Sequence, residues 1–159
     1  MPDSLTDLLV GLGNRYRRDD AVGLRVAELV RLATPEKLRV IEGIADGTEM
    51  LDLWKISDTV WIADCTVSGN PPGNIYVLDG LNEDIPVALF PSYSTHTLNI
   101  AQTIALGRTL DCLPRRLIIY GIEGGNCDPG IGLTEGVEKA AHEVAEKIIA
   151  AHRGKSGNA

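Results

Sequence analysis

Three polar residues stand where apolar runs end. Asp20 lies in GLGNRYRRDDAVG (residues 11–23), Asp64 closes TVWIAD (59–64), and His96 closes SYSTH (92–96). Two carboxylates and an imidazole suit a borderline divalent ion such as nickel or zinc, and three donors leave coordination positions open. No short-range motif such as HExxH ties them together, so spacing alone does not make a metal centre. Each also has a plainer role open to it. Asp19 and Asp20 stand at a helix start, where a first-turn carboxylate is favoured by roughly 0.3–1 kcal/mol, and an N-cap is the simpler reading for Asp19. Asp64 can cap a turn at Cys65-Thr66. A lone histidine is more commonly structural than a ligand. At a helix N-terminus, however, the dipole disfavours the imidazolium and leaves a lone pair available. His142 and His152 lie in the last helical segment and read as surface residues.

Two phosphate readings compete for the glycines. A dinucleotide fingerprint needs a third glycine three residues after Gly13, and Tyr16 stands there. Asp19 and Asp20 would also repel a pyrophosphate. The late Gly154-Lys155-Ser156 mimics the end of a P-loop, but Ile149 occupies the earlier glycine position and the segment follows a helix. Nucleophilic chemistry is no better served: GxSxG is absent and no cysteine has an evident activating histidine.

The elements that must position these residues alternate. Leu8–Leu12 reads as a buried strand, 19–33 as a helix, Leu38–Glu42 as a strand and Gly47–Ile56 as a helix. Thr59–Ala63 is a third strand. After SGNPPG, Asn74–Leu78 reads as an antiparallel edge strand. Ser94 or Thr95 is placed to cap a helix running to Gly107. Leu117–Gly121 is the last strand, and Thr134 caps a final helix ending near Arg153, with a loose tail at 154–159. This order predicts an α/β fold with a mostly parallel sheet, in one domain spanning 1–153. Ligands in such sheets bind beyond the carboxyl ends of the strands, which is where all three candidates fall.

Composition narrows the partners. The net charge is −7 and the pI near 4.9, a balance that repels nucleic acid and favours a monomer. Cys65, Cys112 and Cys127 are an odd set without CxxC spacing, which suits a reducing cytoplasm better than a disulfide framework. The opening MPDSLTDLLVG lacks the charged and apolar regions of a leader. No apolar run approaches the roughly 18 residues needed to cross a bilayer.

At these same residues the chain resembles the maturation endopeptidases of [NiFe] hydrogenases. The matching pieces are VGLGNRYRRDDAVG, IADCTVSGNPPGNIYVL, STHTLNIAQTIAL and LIIYGIEGGNCDPGIGLTEGV, in that order through most of the chain. The resemblance implies a three-layer α/β sandwich of about five strands, of the phosphorylase/hydrolase-like kind. It also implies a protease that removes the C-terminal tail of a hydrogenase large-subunit precursor. The family's metal-contacting residues correspond to Asp20, Asp64 and His96, and the nickel they meet is carried by the substrate. One departure concerns specificity. The family's aspartate-glycine-glycine-threonine stretch, implicated in substrate choice, is Glu42-Gly43-Ile44-Ala45 here. Two rival readings stay open: a peptidyl-tRNA hydrolase, whose opening is similar but which needs a histidine where Arg18-Asp19-Asp20 stand, and a non-catalytic assembly module.

Overall fold

The computed structural model describes residues 5–33, 35–44, 46–90 and 99–157. Its centre is a five-stranded sheet in the order β2-β1-β3-β5-β4. The strands are β1 (Thr6–Gly11), β2 (Leu38–Glu42), β3 (Ser57–Thr66), β4 (Ile75–Asp79) and β5 (Arg116–Glu123). All neighbours are parallel except β4, which runs antiparallel along β5. Apolar runs in β1, β3 and β5 are what a sheet covered on both faces requires. The helices are α1 (Val22–Leu32), α2 (Gly47–Lys55), α3 (Ile100–Thr109) and α4 (Glu135–Gly157).

Right-handed crossovers distribute these helices. The chain moves from β1 outward to β2 through α1, then returns past β1 to β3 through α2, so the two helices lie on opposite faces. Leu9, Trp61 and Ile122 pack against Val26, Val30, Val144 and Ile148 of α1 and α4. Val10, Ile62 and Ile119 pack against Met50, Trp54, Ile100 and Ile104 of α2 and α3. The predicted sandwich is therefore the one observed. α1 comes unusually close to the sheet because residue 23 is glycine: a Cβ there would stand 2.2 Å from the carbonyl oxygens of both Ala63 and Leu12.

Several local expectations change. β3 does not stop at Ala63 but continues to Thr66, which places Asp64 inside a strand. Asn99 caps α3, its Oδ1 accepting from the Gln102 N–H at 2.9 Å; Ser94 and Thr95 lie outside the described residues. α4 runs on through Gly154 to Gly157, where the sequence suggests a loose tail.

His152 is a clear correction: it is 4% exposed, not a surface residue. Its Nδ1 lies 2.7 Å from Asp7 Oδ2 and its Nε2 2.6 Å from the Glu36 carbonyl. Lys155 Nζ donates to Asp7 Oδ1 at 2.6 Å, Asp58 Oδ2 at 2.8 Å and Thr59 Oγ1 at 2.6 Å. This cluster fastens the end of α4 to the amino ends of β1 and β3. Asp7→Ala removes the partner of His152 Nδ1 and one of the three partners of Lys155, leaving a buried polar group unsatisfied, and is expected to cost about 2 kcal/mol. Urea unfolding should show it as a lower midpoint at unchanged slope; a loss below about 0.5 kcal/mol would mean that the cluster does not hold α4.

Candidate active site

The site is built where β1 and β3 end. Beyond Gly11 the backbone turns back at Gly13, whose φ of +142° and close approach to the Asp20 carbonyl, 2.1 Å from where a Cβ would stand, exclude a side chain. The loop that follows is held by Asn14, whose side-chain oxygen accepts from the Tyr16 N–H and whose carbonyl accepts from the Arg17 N–H. A 3-10 turn, Arg18–Ala21, then leads into α1 and packs over the end of β3.

This turn separates two adjacent acids. Asp20 is 6% exposed, and its Oδ2 accepts from the Asn14 N–H at 2.9 Å. Asp19 is fully buried and points elsewhere, so it is not the N-cap of α1: the cap position is Ala21, without a side-chain bond. Asp19 Oδ2 accepts from the N–H groups of Gly125 and Asn126, both at 2.9 Å, and Oδ1 from the Thr134 N–H at 2.8 Å. The Thr134 hydroxyl also donates to Asp19 instead of capping α4 with its own oxygen.

Asp64 comes from the central strand. The period-2 alternation of β3 puts it on the face of Val60 and Ile62, which α2 and α3 cover. Its Oδ1 accepts from the Cys65 N–H at 2.8 Å. Desolvation pushes its carboxyl well above the ordinary carboxylate range, against that hydrogen bond, and the charge of Asp20 adds to the rise. Burial likewise raises Asp20, opposed by the Asn14 hydrogen bond and the charge of Arg17. The two acids are thus electrostatic neighbours, each costly to ionise, at one rim of the sheet.

Two further groups border them. Cys65 Sγ lies 3.9 Å from Cys127 Sγ, as free thiols, and burial raises the Cys65 thiol far above its usual range. Glu123 ends β5 and is 1% exposed. It accepts from the Thr66 hydroxyl at 2.9 Å and from the Ser68 N–H and hydroxyl at 2.8 and 2.7 Å. Burial works to raise its carboxyl, but these bonds outweigh it and the net shift is downward. Glu123 therefore fastens the loop after Asp64. Its signal was an acid at a strand end followed by Gly124-Gly125.

The structure thus brings Asp20 and Asp64 together. His96 lies outside the described residues. Of the stretch 42–45, Glu42 ends β2 and pairs with Arg31 at 3.0 Å, Gly43 donates its N–H to the Gly11 carbonyl at 2.8 Å, and Ile44 is buried. Ala45 is not among the described residues. This stretch edges the same rim as Asp20. Among the described residues, no three His, Cys, Asp or Glu side chains are grouped to hold an ion by themselves.

Comparison with known proteins places this arrangement. The family model for hydrogenase maturation proteases (HycI) matches residues 25–151. The chain is 31% identical over 149 residues to the hydrogenase 2 maturation protease of Escherichia coli K12, covering 92% of this chain and 90% of the relative. Its fold is similar to the hydrogenase maturating endopeptidase HybD of E. coli, with a TM-score of 0.79 at 28% identity, covering 95% of this chain and 94% of the other. The [NiFe] hydrogenase maturation protease HycI of Thermococcus kodakarensis KOD1 shares the fold at 20% identity, with a TM-score of 0.69 over 95% and 94% of the two chains. A peptidase therefore replaces both the esterase and the silent-module readings: the chain belongs to the hydrogenase maturation protease family.

Proposed function

We propose that this peptidase removes the C-terminal tail of a [NiFe] hydrogenase large-subunit precursor once nickel has been inserted, and that Asp20, Asp64 and His96 recognise that nickel. The observation that carries the reading is the pair of desolvated, mutually repelling carboxylates at the ends of β1 and β3. A cation would turn their repulsion into a shared attraction, and their oxygens with an imidazole nitrogen suit a borderline divalent ion. His96 enters as the third donor on the family resemblance alone, since it lies outside the described residues.

The chain's own residues would do three things. Asp20, held by Asn14, and Asp64, held by its neighbour's N–H, present fixed oxygens to the substrate's ion. Docking a folded precursor there places one peptide bond beside them, so that proximity contributes much of the rate. The substrate's ion, or one carboxylate of the pair, would activate the attacking water, and Asp64 is the aspartate assigned here as general base. The nickel is substrate cargo that marks the precursor as ready. The stretch Glu42-Gly43-Ile44-Ala45, at the edge of the rim, would help select the precursor.

We place the protein in the cytoplasm as a monomer, on its side-by-side free thiols and its net charge of −7. Among the described residues no helix is long and apolar enough to cross a membrane.

Two measurements test this reading. Asp64→Asn keeps an acceptor for the Cys65 N–H but removes the base, and should slow tail removal from a nickel-loaded precursor by roughly 10²–10⁴-fold. Wild-type protein should leave the nickel-free precursor intact. Undiminished cleavage by the variant, or equal cleavage of both precursors by wild type, would overturn the reading.

The same substitution should stabilise the fold. A carboxyl whose native pKa is raised binds its proton more tightly in the folded chain, so stability falls as pH rises from the ordinary carboxylate range toward the native value. An amide at this position does not titrate and escapes that fall. Asp64→Asn should match wild type in melting temperature near pH 4 and exceed it at pH 7 by about 3 °C, equivalent to roughly 1 kcal/mol for a chain of this length. A melting temperature at pH 7 equal to or below wild type would mean that the Asp64 carboxyl is not held at a cost.

A further inference from the structure

We infer that Asp19 is a positioning residue: its carboxylate locks the loop joining β5 to α4 onto the turn that carries Asp20, and this lock sets where the Asp20 oxygens stand. The inference rests on the proposed role of Asp20. Asp19 touches neither substrate nor ion in this account and acts through its neighbour.

The lock is built from both sides. Its central bond set is the Asp19 carboxylate with the N–H groups of Gly125, Asn126 and Thr134 and the Thr134 hydroxyl. All four partners are donors, and the carboxylate has no exposure to solvent. Backbone bonds extend it in both directions. The Asp19 N–H donates to the Asn126 carbonyl at 2.9 Å, the Arg18 N–H to the Gly130 carbonyl at 3.1 Å, and the Gly130 N–H to the Tyr16 carbonyl at 2.8 Å. Residues 16–19 and 125–134 therefore form one piece, although the Asp19 carboxylate and its partners are 106–115 residues apart in the chain.

The turn needs such an external hold. Arg18 has a φ of +45°, a left-handed conformation that a side-chain-bearing residue adopts at a cost. Reversing the backbone there sends the Asp19 side chain inward to the loop and leaves Asp20 toward the end of β3. Within the turn itself, the Asp20 N–H donates to the Arg17 carbonyl and the Val22 N–H to the Asp19 carbonyl, bonds that fix the turn but not its placement against the loop. The strained geometry persists because the loop over-determines it, and the loop is gathered by one carboxylate. A charge-assisted acceptor facing three backbone N–H groups is poorly replaced by a neutral one: an amide at position 19 would turn its N–H₂ toward at least one N–H that can only donate.

Three variants test this against a merely structural role, using the full chain and a nickel-loaded large-subunit precursor. Asp19→Asn should lower kcat for tail removal by about 100-fold, the scale of a misplacement near 1 Å, while KM stays within about threefold. Asp7→Asn, at the opposite end of the sheet, is the stability-matched control and should keep wild-type kcat when both variants are assayed equally far below their melting temperatures. Thr134→Val retains the carboxylate but removes one donor, and should lower kcat by about tenfold with KM unchanged; it carries the test if Asp19→Asn does not fold. Wild-type kcat in a folded Asp19→Asn, or a loss no larger than that of Asp7→Asn, would overturn the inference, as would wild-type kcat in Thr134→Val. Asp20→Asn separates the two levels. If it processes normally, the assigned role of Asp20 is wrong; if it is inactive while Asp19→Asn is not, only the positioning role falls.

Discussion

Asp64 stands on β3, the middle strand of the sheet, which has the parallel strands β1 and β5 as neighbours and helices packed on both faces. Its carboxyl is only partly open to solvent, so desolvation opposes its ionisation. The surroundings add Asp20, a second acid brought by the turn after β1. Folding energy from the apolar layers, not any local partner, keeps this unfavourable pair in place. What looks like a poorly compensated charge in the free protein becomes a well-chosen receptor when a cation arrives.

The two ends of the sheet solve opposite problems. At the amino ends, Asp7 meets His152 and Lys155, a carboxylate matched by groups that can donate to it. At the carboxyl ends, Asp20 and Asp64 are left with one backbone N–H apiece among the bonds described. Between them, Asp19 and Glu123 are carboxylates saturated by backbone and hydroxyl donors, and they fix loops rather than bind anything. The acids near this rim thus divide by partner count into two that organise and two that remain available.

The sequence made much of this legible, for physical reasons that also set its limits. Asp20 and Asp64 could be singled out because acids ending apolar runs occupy strand-end positions, and strand ends converge in a parallel sheet. β4 was legible as an antiparallel edge strand after SGNPPG, but its neighbour was not: a hairpin-like connection implies pairing with β3, whereas β4 pairs with β5. Asp19 was not legible: its partners lie 106–115 residues away, and nothing local distinguishes a cap from a long-range anchor. His152 was within reach, since it follows Ile148 by four residues and so shares the buried stripe of α4. β3 was cut short because polar Asp64 looked like an ending, whereas ladder bonds to β5 carry it two residues further.

The order of the strands has one more consequence. The chain leaves β1 in one direction and returns to β3 in the other, so the point where the winding reverses falls between their carboxyl ends, where Asp20 and Asp64 are neighbours. Of the segments bordering it, 42–44 and 70–74 can change composition without moving the strands beneath, whereas 125–134 is tied to the turn that carries Asp20. A lineage of such enzymes can therefore exchange its clientele piecemeal, one border at a time, while inheriting the chemistry intact.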